Sequence, residues 1–311
     1  MFRATTNYGR KGLPLQVISA IDLALWDLLG KLRREPVYAL LGGKTKDRLP
    51  VYCTTARPDL AKNFGFVGAK IPCPYGPSDG DIGLKRNIEF FKNWREIVGR
   101  DFELMLDCYM SLTVPYTIKL VKELEPYGVK WIEEYLHPDN YNGYKEVHQA
   151  LRGSSTVLLA TGEHEYTRYG FQQLLDTTCV DIIQPDITWM GGITEARRVI
   201  AMASSKDILV IPHGSSVYSY HLQYAFTNCP LAEYIILSPN ADVIIPYFGG
   251  IFKDEPLPQQ GFVDLPQRSG FGLTLDRSLL ERPFERSEND CKQQAQKNVA
   301  TPATVSAFMP F

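Results

Sequence analysis

The chain has no Cys-x-x-Cys pair; its six cysteines, Cys53, Cys73, Cys108, Cys179, Cys229 and Cys291, are scattered, several of them inside apolar runs. They read as buried thiols of a protein kept in a reducing, cytoplasmic compartment. Excess charge of either sign is also lacking. A formal net charge of -2 gives no electrostatic reason to expect nucleic acid or an anionic membrane as partner. No apolar run is long and uninterrupted: Asp22 and Asp27 break the stretch over residues 13–32 at helical spacing, which predicts an amphipathic helix rather than a membrane span. Residues 1–12 carry Arg3, Arg10 and Lys11 but no apolar core or cleavage pattern behind them, so no secretory signal is read. No glycine-rich phosphate loop follows the first predicted strand, which disfavours an open dinucleotide-binding sheet. Short internal repeats are absent too.

What is present is an ordinary globular composition, 44% hydrophobic and 22% charged over 311 residues. That length suits one large α/β unit with appendages. Apolar, β-rich runs at 51–53, 66–71, 102–107, 129–136, 157–163, 180–185, 208–212 and 233–237 alternate with helical patterns at 84–98, 115–124, 144–151, 171–175 and 193–203. Strand-then-helix alternation at this pitch predicts parallel βαβ units, and about eight of them close a TIM-type barrel. The expected division is a helical remnant over 1–46, the barrel over 47–240, a return segment over 241–281 and a disordered polar tail over 282–311.

The polar residues that stand out all close one of these strands. Asp107, Glu133, Glu163, Asp186, His213 and Glu233 recur at intervals of roughly 20 to 30 residues, about one βα unit each. In a parallel barrel such residues converge on one rim. Carboxylates crowded there repel one another unless a cation neutralises them, and an all-oxygen set suits Mg²⁺. The sequence Glu133-Glu134 offers two acids for one position. Alternation along an extended strand turns them to opposite sides, which leaves Glu134 for an outer-shell contact or a helix-side salt bridge.

Two stretches carry a family likeness: Ile21-Asp22-Leu23-Ala24-Leu25-Trp26-Asp27-Leu28-Leu29-Gly30-Lys31 and Pro36-Val37-Tyr38-Ala39-Leu40-Leu41-Gly42. Together they resemble the signature of the mandelate racemase and muconate-lactonizing branch of the enolase superfamily. The resemblance implies a barrel preceded by an N-terminal α+β capping domain, whereas this text opens almost at once on the helix that follows the capping sheet. It also implies that Asp107, Glu133 and Glu163 bind Mg²⁺, that His213 and Asp186 form a proton-abstracting dyad, and that Glu233 meets the substrate carboxylate. Lys70 is expected to add positive charge from the second strand.

One departure separates reaction types. The racemase branch has Lys-x-Lys at the end of the second strand, but here the text is Lys70-Ile71-Pro72, and proline cannot accept a proton. A two-base racemase or epimerase is therefore disfavoured, and a β-elimination that uses His213 as both base and acid is favoured. Further stretches, Ala56-Arg57-Pro58-Asp59-Leu60-Ala61-Lys62, Gly162-Glu163-His164 and His213-Gly214-Ser215-Ser216-Val217-Tyr218-Ser219, look like acid-sugar dehydratases acting on L-rhamnonate. That likeness implies a small sugar-acid substrate, a homo-oligomer and a substrate-hydroxyl contact from His164. A weakly active or inactive fragment with a binding role is the other reading kept open. His137, His148 and His221 are expected to be surface or packing residues.

Overall fold

The computed structural model describes residues 1–177 and 179–279; the tail expected over 282–311 lies outside them. The chain begins with α1 (Phe2–Thr5), α2 (Leu13–Arg33) and α3 (Val37–Leu40). It continues through β1 (Leu49–Thr54), α4 (Pro58–Asn63), β2 (Gly68–Pro72), α5 (Gly80–Val98), β3 (Glu103–Asp107), α6 (Val114–Leu124), β4 (Val129–Glu133), α7 (Tyr141–Leu151) and β5 (Leu158–Thr161). Then follow α8 (Thr167–Asp176), β6 (Ile182–Ile183), α9 (Gly192–Ser204), β7 (Leu209–Val210), α10 (Val217–Ala225), β8 (Ala232–Ile235) and the short β9 (Phe262–Val263).

Eight strands are parallel and neighbour one another in the order β7-β6-β5-β4-β3-β2-β1-β8. This is a TIM-type barrel, with the β1–β8 pairing that closes such a ring in place. Between β7 and β8 the described residues form no ladder. The seam is bridged instead by the Val210 N–H donating to the Asn228 carbonyl at 2.9 Å and the Gly214 N–H donating to Glu233 Oε2 at 2.7 Å. β6 and β7 are shorter than the runs 180–185 and 208–212 suggest. One further backbone bond extends each, Gln184 N–H to the Thr161 carbonyl and Ile211 N–H to the Ile183 carbonyl. Pro185 and Pro212, which have no N–H to give, come next.

Two-residue alternation explains how the barrel positions its chemistry. Tyr52, Met105, Trp131, Ala160 and Ile182 form one buried cluster, filling the inside of the ring. Their neighbours Val51, Leu104, Ile132, Leu159 and Ile183 belong to the other cluster, which packs beneath the helices. Two residues further along β1, β3 and β4 stand Thr54, Asp107 and Glu133, on the same inward face but one pleat nearer the C-terminal rim. Apolar floor and polar mouth are therefore successive layers of the same strands.

Helices begin one to four residues earlier than apolar periodicity alone predicts, and at α7 a side-chain cap sets the start. The segment expected from residue 144 starts at Tyr141, where the Asn140 side chain accepts from the Gly143 N–H at 3.0 Å. A Cβ on Gly143 would lie 2.5 Å from the Asn140 amide nitrogen, so this cap requires glycine. α2 docks on α9 through its polar residues: Ser19 Oγ accepts from Gly191 N–H at 2.9 Å, and Asp22 Oδ2 from Thr194 N–H at 2.9 Å. Leu15 and Leu23 are buried there, whereas Leu13, Val17, Leu25 and Leu32 remain exposed. By length and composition alone α2 could cross a membrane, but those buried polar contacts assign it to the protein surface layer.

His221 ties three parts of this scaffold together. Its Nδ1 accepts the Tyr38 N–H at 3.1 Å, and its Nε2 faces the Phe271 carbonyl at 3.3 Å, which makes Nε2 the protonated nitrogen. The ring lies between Tyr38 and Phe271 at centroid distances of 5.5 and 5.3 Å. Burial holds its pKa down to about 3. Because the unfolded chain titrates near 6.5, this group's contribution is present above that pH and is lost as pH falls toward the folded value, by about 1.4 kcal/mol per unit. Urea denaturation at pH 7, 6 and 5 should show this loss, and His221→Gln, though less stable throughout, should show a shallower slope. Equal slopes in the two proteins would remove His221 as the source.

Candidate active site

The C-terminal rim brings together every residue singled out on the strand ends. Asp107 and Glu133 are register partners at the ends of β3 and β4. Glu163 follows β5 by two residues, beyond Gly162, whose φ of +127° suits glycine. One carboxylate oxygen from each of Asp107, Glu133 and Glu163 lies within 4.8 Å of the other two. These are hard, anionic donors of one kind, and Mg²⁺ binds few carboxylates while keeping waters in its other octahedral positions, so the set fits Mg²⁺.

Lys70, on β2, is sunk into the middle of the acids at 1% exposure. Its ammonium contacts Glu133 Oε1, Glu233 Oε1 at 2.9 Å and Asp107 Oδ2 at 3.3 Å. Burial alone would lower its pKa, but the three acids together raise it well above the usual lysine range. Glu133 does not gain symmetrically from the contact. Burial, reinforced by Asp107 and Glu233, pushes it up to about 7 in spite of Lys70. Its second oxygen accepts from Trp131 Nε1 at 3.1 Å and Gln184 Nε2 at 2.6 Å. Glu163 is likewise pushed up to about 8 by burial and by the nearby Glu134 and Asp107, against the pull of His213. Acids packed this densely hold on to protons, which is the condition a divalent cation relieves.

Across the mouth, His213 Nδ1 lies 2.9 Å from Asp186 Oδ2. The other oxygen, Asp186 Oδ1, accepts from Ser215 Oγ at 2.9 Å, Thr188 Oγ1 at 2.6 Å and Thr188 N–H at 2.7 Å. The carboxylate is thus locked, and with it the imidazole tautomer: Nδ1 carries the hydrogen and Nε2 faces the acids, 3.7 Å from Glu163 Oε2. Burial opposes charge on this ring, but Glu163, Asp186 and Glu233 raise its pKa well above the ordinary histidine value. Gly214, Ser215 and Ser216 then follow with φ of +39°, +63° and +44°. That left-handed run points the Gly214 N–H at Glu233.

Glu233 accepts hydrogen bonds from Thr54 Oγ1 and Gly214 N–H besides the ion pair with Lys70. Burial works against its charge, but Lys70, His213 and these donors overcome it and hold the pKa down to about 2. A role as hydrogen-bond donor to a substrate carboxylate, which the family likeness implies, would need a proton that these contacts disfavour. Lys70, 1% exposed and with its ammonium shared among Asp107, Glu133 and Glu233, contributes fixed positive charge on that side.

His164 is present at the same rim, its Nδ1 2.8 Å from Glu134 Oε2 and 3.6 Å from Glu163 Oε1. Glu134 therefore does not point to the helix side: it has φ of +43°, so strand alternation stops at Glu133 and the second acid turns back into the mouth. Sequence reading also passed over Trp189, whose ring lies 5.5 Å from both the His164 and His213 rings, and Trp131 and Gln184 as partners of Glu133. Trp131 was accessible from the two-residue period, because it precedes Glu133 on one face. Trp189 lies in a loop, where no period applies. His137 is exposed and His148 half-buried, each at a distance from this cluster.

Residues 59–279 match the family described as Enolase C-terminal domain-like. A curated L-rhamnonate dehydratase of Saccharopolyspora erythraea is 50% identical over 286 residues, spanning 92% of this chain and 73% of that protein. The crystal structure of rhamnonate dehydratase from Gibberella zeae complexed with Mg superposes with a TM-score of 0.86 at 48% identity, covering 91% of this chain and 72% of that one. The 3,6-anhydro-D-galactonate cycloisomerase of Zobellia galactanivorans is more distant, with 29% identity and a TM-score of 0.79 over 90% of this chain and 78% of its own. A match across most of the barrel, together with half-identical relatives over nine-tenths of its length, makes this chain a member of the enolase superfamily.

Proposed function

We propose that the chain is a Mg²⁺-dependent hydro-lyase that removes water from a six-carbon aldonate of the L-rhamnonate type to give the 2-keto-3-deoxy acid. The observation that carries this reading is the His213–Asp186 dyad, with its free Nε2 aimed at the acid triad. The dehydratase relatives support the same substrate class. A cytoplasmic setting fits the five described cysteines, all of them free thiols. A homo-oligomer remains an expectation from the family likeness.

The chemical difficulty is that a proton next to a carboxylate is only weakly acidic, and its removal adds a second negative charge to that group. Mg²⁺ at Asp107, Glu133 and Glu163 would supply Lewis-acid charge to the substrate carboxylate. Lys70 adds a fixed cation already in place beside Asp107 and Glu133. With Nδ1–H held by Asp186, His213 Nε2 takes the α-proton and becomes an imidazolium that Asp186 stabilises. The electron pair left on the α-carbon expels the β-hydroxyl, which accepts that same proton from Nε2 and leaves as water. The enol that remains takes up the keto form. One histidine thus serves both half-steps, and Pro72 at the end of β2 leaves no second base there for racemisation.

Two measurements test this. His213→Asn should lower formation of 2-keto-3-deoxy product from L-rhamnonate with Mg²⁺ by about 10²- to 10⁴-fold. Turnover that survives this substitution, or α-proton exchange with the β-hydroxyl retained, would sink the assignment. Mg²⁺ should also raise the melting temperature of EDTA-treated protein, by an amount equivalent to about 2.7 kcal/mol at a hundredfold excess over Kd. Glu133 and Glu163, held near 7 and 8 without a cation, must release protons to bind it. Affinity should therefore be weaker at pH 6 than at pH 8, and the rise in melting temperature should vanish in Asp107→Asn.

A further inference from the structure

Glu134 is a buried acid of the mouth with no part in the reaction above, and it is held there against several costs. The ladder of β4 stops at Glu133, and Glu134 takes the left-handed φ of +43° that a non-glycine residue rarely adopts. Its side chain is 1% exposed. Oε2 meets His164 Nδ1 at 2.8 Å, and Oε1 is buried with no hydrogen-bond partner. Strain, burial and an unmet acceptor all weigh against folding, so a single hydrogen bond to His164 is poor compensation as a stabilising device. As an orienting device it is effective.

The imidazole it holds is set for contact with a ligand. His164 sits between Tyr109 and Trp189, at ring distances of 5.8 and 5.5 Å. With Nδ1 committed to Glu134, Nε2 has no partner among the described residues, and the side chain is 22% exposed at the open mouth. The other face of the comparison is His213, which also places Nδ1 on a carboxylate and lies 5.5 Å from the same indole. Two carboxylate–imidazole dyads therefore flank Trp189, one on the proton-transfer side and one beside it.

We infer that Glu134 is a positioning residue: it fixes the tautomer and orientation of His164 so that Nε2 engages a hydroxyl of the acid-sugar substrate, making the pair a specificity device. This rests on the dehydratase reading for its substrate class. It predicts coupled behaviour. Glu134→Leu, which removes the acceptor, should lower kcat/KM on L-rhamnonate by about 10- to 100-fold, the worth of one charge-assisted hydrogen bond. Glu134→Gln, which keeps an acceptor, should lose less. His164→Asn should match Glu134→Leu, the double variant should be no worse than either, and discrimination between L-rhamnonate and the epimer at the hydroxyl that Nε2 engages, found by comparing the C4 and C5 epimers, should shrink in all of them. Mg²⁺ affinity measured calorimetrically without substrate should stay within about threefold of the parent value, because neither residue is assigned to the cation.

A readout independent of turnover separates this from the parent reading. In metal-free protein labelled with ¹⁵N-histidine, the Nδ1–H pattern of His164 should be present and should change in Glu134→Leu, and added L-rhamnonate should shift Nε2. Additive losses in the double variant, an unperturbed His164 spectrum, or a fall in Mg²⁺ affinity as large as that of Glu133→Gln would overturn the inference. Absence of turnover in the unaltered protein would instead overturn the dehydratase reading, and the spectra would still decide the role of Glu134.

Discussion

One ammonium group among three carboxylates sets the terms for the rest of this molecule. Lys70 contacts Asp107, Glu133 and Glu233 at once, in a place that water scarcely reaches. Without it, three strands of a parallel barrel would deliver like charges to one buried layer, a cost that no packing of the apolar floor beneath could offset. With it, the layer is still acid-rich, and Glu133 and Glu163 hold their protons toward neutral pH. The fold thus carries one cation of its own and stays short of a second. That imbalance leaves the mouth chemically poised rather than merely closed: on the proposed assignment, the residues that destabilise it as a bare core are those that would hold a divalent ion.

Much of this was legible in the sequence because a barrel strand reports itself twice. The apolar run gives its existence, and the polar residue that ends it gives the rim. Asp107, Glu133, Asp186 and His213 all follow that rule, since each sits where a ladder stops and side chains leave the wall. Glu134 could not be placed in this way. Period-two reasoning holds only while the backbone stays extended, and a left-handed residue directly after the strand cancels it. Trp189 escaped for a related reason. It lies between Asp186 and α9, in a turn where neither helical nor extended periodicity operates, and only the folded chain shows it standing between two histidines. Helix starts were misplaced by a few residues because the first turn need not carry a core residue: at α7 the Asn140 side chain, not an apolar contact, defines it.

The proline at the end of β2 has a structural consequence beyond the base it lacks. Pro72 pairs in register with Asp107, and the next residue's N–H, from Cys73, donates to the Asp107 carbonyl at 2.7 Å. The strand therefore remains in the ladder past the proline, and the position that would carry a second base is taken up by backbone pairing with Asp107. Proline supplies no proton-transfer group on the β2 side, whereas the histidine–aspartate pair that the mouth does hold stands beyond β6 and β7.

That asymmetry accounts for the differing surroundings of the two imidazoles. His213 is enclosed by Glu163, Asp186 and Glu233, so its ring is strongly basic while the acids near it are uncompensated. On the proposed assignment, proton abstraction requires a neutral Nε2, and a cation held by the triad would favour that form by taking up the charge on Glu163. Proton affinity at His213 and cation binding would then be linked through Glu163, each weakening the other. His164 leans on Glu134, outside the triad, but its Nδ1 also lies 3.6 Å from Glu163 Oε1, so both imidazoles meet the same acid. Glu163 thereby joins the two halves of the mouth, and its charge acts on His213 and His164 alike.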